Sequence, residues 1–329
     1  MKKSTWYYPN DQVDSVPADA EAMRRCGLTT VLCNTLKDDV LNAMADALEG
    51  SSIELHAEMS LAQLYKAVTG HSASLTVLKN PGEFNKHFLE HASRGTHCWS
   101  GDVDDVSDLA EYLVELIRRH PSVKGICLDG IRYANMAIQE DFPCDCENCH
   151  ARREPWLGHG TLTEQDRRDP SIMYKEIQTK NKVISGVVSQ LAQAVHEAGA
   201  ELSIAARTVY AGRDEEFKDG PARGYGASVF EGQDWQAWCD NGWLDVIHFM
   251  NYSTDMVRFE RLARTHQALV GDTQTAIHEG IGVSSSAGEL SPEMFKRQID
   301  IVKDLGMPGI TIFSWGQTSE DHMTVLRDA

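Results

Sequence analysis

Short apolar runs rich in β-branched and aromatic residues alternate with longer stretches whose apolar residues recur every three or four positions. The first pattern suits strands and the second suits amphipathic helices. Residues 5–8 are predicted as an aromatic strand, and 17–26 as a helix that starts near Pro17 and stops at Gly27. A strand over 28–33 and a helix over 38–48 follow, then a third strand over 53–60 ending in His56 and Glu58. Residues 61–101 lack a clear period. The helix over 106–120 carries Leu109, Leu113 and Ile117 on one face, and a fourth strand ends at Asp129. After a second long insert, 134–170, come the longest helical pattern (171–198) and a fifth strand (201–210, with Arg207 at its end). Then follow helix 235–239, strand 244–251, helix 256–269, strand 273–283 and helix 292–305 with Ser291 as its N-cap. Strand 309–315 and helix 320–327 end the series.

Eight strands alternating with helices predict an α/β fold, a (β/α)8 TIM barrel occupying 1–329 as one catalytic domain, with long inserts after strands three and four. The fourth strand carries the argument furthest. Ile126, Cys127 and Leu128 form an apolar run without alternation, as in a parallel sheet covered on both faces. A doubly wound sheet is the competing arrangement, but its first βα turn would need a glycine-rich phosphate loop that this chain lacks.

A net charge of -18 narrows the partners. It disfavours nucleic acid and anionic membranes. No apolar run has the length of a membrane span, and residues 1–8 lack the apolar core of a secretory signal. A cytoplasmic protein is expected, or a secreted one if a leader was removed. A homo-oligomer is compatible with the sequence.

Strand ends of a barrel converge on one face. Here they read Tyr8, Asn34, His56, Glu58, Asp129, Arg132, Arg207, Asn251, Tyr252, His278, Glu279 and Trp315. So many polar and aromatic groups at one face suit a carbohydrate, whose hydroxyls pair with amides and carboxylates and whose ring faces pack on aromatics. Glycoside hydrolysis needs two carboxyl groups in unlike environments. Asp129 is expected as nucleophile or base and Glu279 as acid, or the reverse, with Glu58 and then Asp255 as substitutes for Glu279. Tyr8, His56, Arg132, Tyr133, Arg207, Asn251, Tyr252, His278 and Trp315 are the expected sugar-binding residues. No cofactor is required by this scheme. Two alternatives stand: a metal-dependent hydrolase or lyase using His56, Glu58, Asp129 and His278, and a non-catalytic carbohydrate-binding barrel. Cys144, Cys146, Cys149 and His150 in the second insert offer four donors for a structural zinc. His159 is a substitute fourth ligand, and a disulfide or free thiols are the other readings of that run.

The segment from Gly125 to Tyr133, with its Leu-Asp-x-Ile-Arg-Tyr core, resembles the fourth-strand motif of the bacterial glycosyl hydrolase-like TIM-barrel families. Segments 244–253, 280–293 and 309–315 are similar to their sixth strand, their seventh strand with the next helix, and their eighth strand. The cysteine run also occurs in some of these proteins. The resemblance implies a TIM barrel, carbohydrate hydrolysis and an active-site role for Asp129; it supplies no carboxylate at Glu279.

Overall fold

The computed structural model describes residues 1–9, 13–70, 103–133, 147–210, 228–285 and 287–329, with backbone alone at 103–105. Eight parallel strands close into a TIM barrel. They are β1 (Lys2–Tyr7), β2 (Thr30–Asn34), β3 (Glu54–Ser60), β4 (Val123–Asp129), β5 (Glu201–Ala206), β6 (Val246–Phe249), β7 (Ala276–Gly282) and β10 (Gly309–Phe313). Between the last two, β8 (Ser284–Ser285) and β9 (Gly288–Glu289) form a small antiparallel hairpin. The ring runs β1-β10-β7-β6-β5-β4-β3-β2.

Around it lie α1 (Val16–Arg25), α2 (Asp38–Leu48), α3 (Leu61–Thr69), α4 (Val103–Arg119), α5 (Glu147–Leu157), α6 (Glu164–Arg168), α7 (Pro170–Glu197), α8 (Trp235–Asp240), α9 (Met256–Val270), α10 (Pro292–Asp304) and α11 (Glu320–Asp328). The apolar core lies between strands and helices: Val31, Leu55, Ile126, Ile204, Ile247, Ile281 and Ile310 meet Val40, Leu109, Val188, Phe259 and Phe295. The expected irregular stretch over 61–101 begins instead with α3, closed at its start by the reciprocal Ser60–Gln63 capping box. The second insert also contains helices, α5 and α6.

Register fixes which side chains enter the barrel, because directly paired residues of parallel strands share a face. Trp6 pairs with Leu32, Leu32 with His56, Glu58 with Cys127, and His248 with His278. A small inner cluster of Trp6, Leu32, Cys127 and Ala205, joined by Met250, Tyr252 and Phe313, marks the layer just below the mouth.

α7 has 28 residues, so it is about 42 Å long, roughly twice the length of a barrel strand. Its C-terminal end leads into β5, so its N-terminal turns rise past the mouth. There Glu176 binds Arg153 of α5 through both carboxylate oxygens (2.6 and 3.2 Å), with Lys180 Nζ at 3.6 Å. The buried cluster joins the second insert to the long helix as one wall beside the mouth.

Candidate active site

β2, β3 and β4 bring three polar side chains together at the mouth. Asn34 and Glu58 are register partners, and Asn34 Nδ2 donates to Glu58 Oε2 at 2.5 Å. Glu58 pairs with Cys127, so Asp129, two residues further along β4, is its diagonal neighbour on the same inner face. Glu58 is 1% exposed, whereas Asp129 is half-buried and its Oδ1 accepts the Gly130 amide at 2.6 Å. Burial pushes the Glu58 carboxyl up to about 8, the Asp129 charge adds to that, and the Asn34 bond opposes it. Two carboxyl groups thus share one site in unlike environments.

Aromatic rings complete the site. Tyr252 stacks on Phe313 with centroids 4.7 Å apart, Trp6 meets both edge-on, and Tyr8 meets Phe313 edge-on at 6.1 Å. Gly282 permits the approach: a Cβ there would lie 2.9 Å from Cβ of Tyr252. Burial, together with the Glu58 and Asp129 charges, raises the Tyr8 and Tyr252 hydroxyls far above their ordinary range, so both stay protonated. The face presents a protonatable carboxyl, a second carboxyl, hydroxyl donors and flat apolar rings.

The other expected residues sit elsewhere. Glu279 points outward from β7, not across the mouth toward Asp129; it is fully buried against His266 of α9 and Asn251. The strand parity is the cause, since His278 and Gly280 are the inward neighbours. Asp255 is the N-cap of α9, accepting the Arg258 amide at 2.7 Å. His56 and His278 do face inward, but in the layer beneath the mouth. His278 Nδ1 pairs with Ser4 Oγ at 3.0 Å, and His56 Nε2 lies 3.9 Å from Glu201, at the N-terminal end of β5. A Cβ at Gly125 would stand 2.5 Å from His56 Nδ1, so this glycine makes room for the ring. Burial lowers His56 to about 4 and His278 to about 3. The four donors of the metal alternative therefore divide between two layers. Among the described residues no group of three or more His, Cys, Asp or Glu side chains is arranged to hold a metal ion.

Tyr133 is also turned from the mouth. It is buried, with Lys180 Nζ 5.7 Å above its ring, and its amide donates to the Glu231 carbonyl. Trp315 is 3% exposed, and its indole N–H donates to Asp19 of α1, which also accepts the Tyr7 hydroxyl. It closes the barrel rim and offers no open sugar platform. Asn251 is buried and anchors the β6 turn. Arg207 and Arg132 remain at the strand ends, bound to a residue the sequence did not indicate. Fully buried Glu231 takes Arg207 Nε at 3.0 Å and has Arg132 Nη1 at 3.7 Å. Glu231 lies on a single 3-10 turn, Ser228–Glu231, without a strand or helix pattern to flag it. Phe313 and Trp6 are not among the expected sugar-binding residues, because their inward parity shows only in the strand register, and Asn34, one of the strand ends, had no assigned role.

Of the expected zinc donors, Cys144 and Cys146 lie outside the described residues. Cys149 is buried in the first turn of α5, and His150 Nε2 lies 3.3 Å from Thr161 Oγ1. His159 is paired with Asp166 at 3.6 Å.

No family model and no curated sequence matches the chain. Among solved structures it is similar to the PgaB (BpsB) glycoside hydrolase domain of Bordetella bronchiseptica. That match has a TM-score of 0.67 and 13% identity, over 100% of this chain and 98% of the other. The catalytic domain of a β-amylase from Paenibacillus polymyxa has a TM-score of 0.59 and 11% identity, over 99% and 97%. A chitinase from Chromobacterium violaceum has a TM-score of 0.56 and 10% identity, over 99% and 98%. At these identities the likeness is one of fold.

Proposed function

We propose that the protein is a glycoside hydrolase in which Glu58 is the general acid and Asp129 the nucleophile or general base. The observation that carries this is the pair itself: two inward carboxyl groups on adjacent strand ends, one held protonated by burial and by the charge of the other. Acid catalysis of glycosidic cleavage needs that division, since one group must deliver a proton to the departing oxygen while the other stays charged. The Tyr8, Tyr252 and Phe313 rings supply a surface for sugar faces, and the barrel likeness to a glycoside hydrolase domain, a chitinase and a β-amylase is consistent with such use. The substrate on this reading is an oligo- or polysaccharide, bound between the aromatic group and the wall built on α5 and α7.

Hydrolysis of a panel of oligo- and polysaccharides by the wild-type chain, beside Glu58→Gln and Asp129→Asn, tests the proposal. Wild type is expected to cleave a member of the panel, and each variant to lose about 10²–10⁴-fold in kcat with its fold intact. A glycan cleaved equally well by all three would leave the pair without a role. Binding without cleavage by any of them would favour the carbohydrate-binding barrel.

A further inference from the structure

The outward turn of Glu279 brings it to a specific set of partners. Its two carboxylate oxygens lie 3.1 and 2.9 Å from Nδ1 of His266 on α9. The other ring nitrogen, Nε2, lies 2.7 Å from the carbonyl oxygen of Thr208. Asn251 Nδ2 donates to Glu279 Oε1 at 2.7 Å and to the Phe259 carbonyl at 3.0 Å. Glu279 and His266 are fully buried and Asn251 nearly so. The imidazole lies flat on Phe249, centroids 3.7 Å apart and planes 5° from parallel.

Counting hydrogens constrains the state of this pair. A carbonyl oxygen only accepts, so Nε2 carries a hydrogen. Nδ1 and the carboxyl group, in contact without water, then need one more hydrogen between them. It sits on Nδ1, giving an imidazolium–carboxylate pair, or on the carboxyl, giving a neutral pair. The total is two hydrogens and zero net charge in both cases. With one hydrogen fewer, a buried negative charge would stand uncompensated.

The connections lead to the mouth. Thr208 directly follows Arg207, the β5 strand-end residue bound to Glu231. Asn251 directly precedes Tyr252, whose ring stacks on Phe313 beside the carboxyl pair. We propose that Glu279 and His266 are positioning residues: a net-neutral, two-hydrogen pair outside the barrel that fixes the departure of the β5 loop and the turn presenting Tyr252. Neither touches the reacting atoms. The inference rests on the proposed hydrolase in one respect only, that Tyr252 faces the sugar.

Glu279→Gln separates positioning from catalysis. A glutamine can donate its amide hydrogen to Nδ1 and accept from Asn251, while a neutral His266 still donates from Nε2 to Thr208; each of the three partners keeps a hydrogen bond. Glu279→Leu removes the bonds to His266 Nδ1 and to Asn251. On a glycan that wild type cleaves, Glu279→Gln is expected to stay within about threefold of wild type in both kcat and KM. Glu279→Leu is expected to raise KM tenfold or more. Proton and ¹⁵N NMR of histidine-labelled full-length protein provides a readout independent of activity. Wild type should show, for His266, an exchange-protected Nε2–H together with a far-downfield hydrogen shared with the carboxyl group. Glu279→Gln should keep the first and lose the second. The proposal is overturned by a folded Glu279→Gln that no longer cleaves glycan, by Glu279→Leu behaving as wild type, or by a wild-type His266 ring with a single hydrogen and no shared one. Should wild type cleave no glycan at all, the hydrolase proposal fails while the NMR result still decides the pair.

Discussion

Asn34 and Glu58 face each other in the β2–β3 register, and their bond moderates the rise that burial gives the proposed acid. Burial and the Asp129 charge raise the Glu58 carboxyl to about 8, while the Asn34 amide favours its charged form and holds it below what burial alone would give. Activity should therefore fall as pH rises through about 8, where the acid form of Glu58 is consumed. Asn34→Ala should move that alkaline limb to higher pH, checked by kcat/KM profiles of the two proteins. An unmoved limb would mean that another group sets it. Much at this scale was legible in the chain: Asp129 and Glu58 both stand at strand ends, where a barrel gathers its chemistry. The failure at Glu279 has a physical cause. Strands covered on both faces lack alternation, so the sequence does not say which of His278 and Glu279 points inward. Glu231 was illegible for a different reason, since nothing local signals a carboxylate that acquires two arginines only through tertiary contact.

At the scale of elements, the wall beside the mouth depends on a buried charge cluster. Glu176 lies between Arg153 and Lys180, and these cations hold its carboxyl below the usual range despite burial. Glu176→Ala would take from both buried cations the carboxylate they share, at a cost of about 3–5 kcal/mol. Urea denaturation should report that loss, and protease sensitivity should rise at α5, the helix released from α7. An unchanged unfolding midpoint would show the cluster to be dispensable. The long period of α7 was readable because apolar residues recur along its whole length. α3 was not anticipated, although Ser60 and Gln63 stand at capping-box spacing, because a helix of nine residues gives little periodic signal. The inserts were recognised by their lack of pattern, which is also why α5 and α6 inside the second went unpredicted; α5 contains Pro155 and buries little along its face.

For the whole molecule, a layer of histidines inside the barrel below the mouth contributes to acid sensitivity. His56, His248 and His278 line this layer, with the rings of the last two 5.3 Å apart. Burial lowers His56 to about 4, His278 to about 3 and His248 well below its ordinary value, and nearby Lys2 adds to the effect on the first two. The unfolded chain binds protons on these rings near pH 6.5 and the folded chain does not, so stability is present above 6.5 and is lost as pH falls toward 4. Glu58 works the other way between about 4.5 and 8, because its folded form holds a proton that the unfolded chain releases. On these four groups alone the net uptake on unfolding near pH 5.5 is about two protons, or roughly 2.7 kcal/mol per pH unit. Denaturation across that range measures the slope, and His278→Gln should lower it by about one proton. The barrel was the most legible feature of the chain, because eight strand–helix repeats leave few other ways to bury the apolar faces. Its inner layers were not, since they depend on parity and register.

On the proposed mechanism Asp129 attacks, or activates water against, an anomeric carbon while Glu58 protonates the departing oxygen. Asp129→Ala assayed with added azide tests it most directly, on a glycan or activated glycoside that wild type cleaves. Azide can occupy the space of the missing carboxylate, bond to the anomeric carbon and expel the leaving group. Asp129→Ala is expected to be nearly inactive alone, and azide is expected to restore turnover with a glycosyl azide as product. A variant that hydrolyses at the wild-type rate without azide, and forms no glycosyl azide with it, would overturn the role given to Asp129.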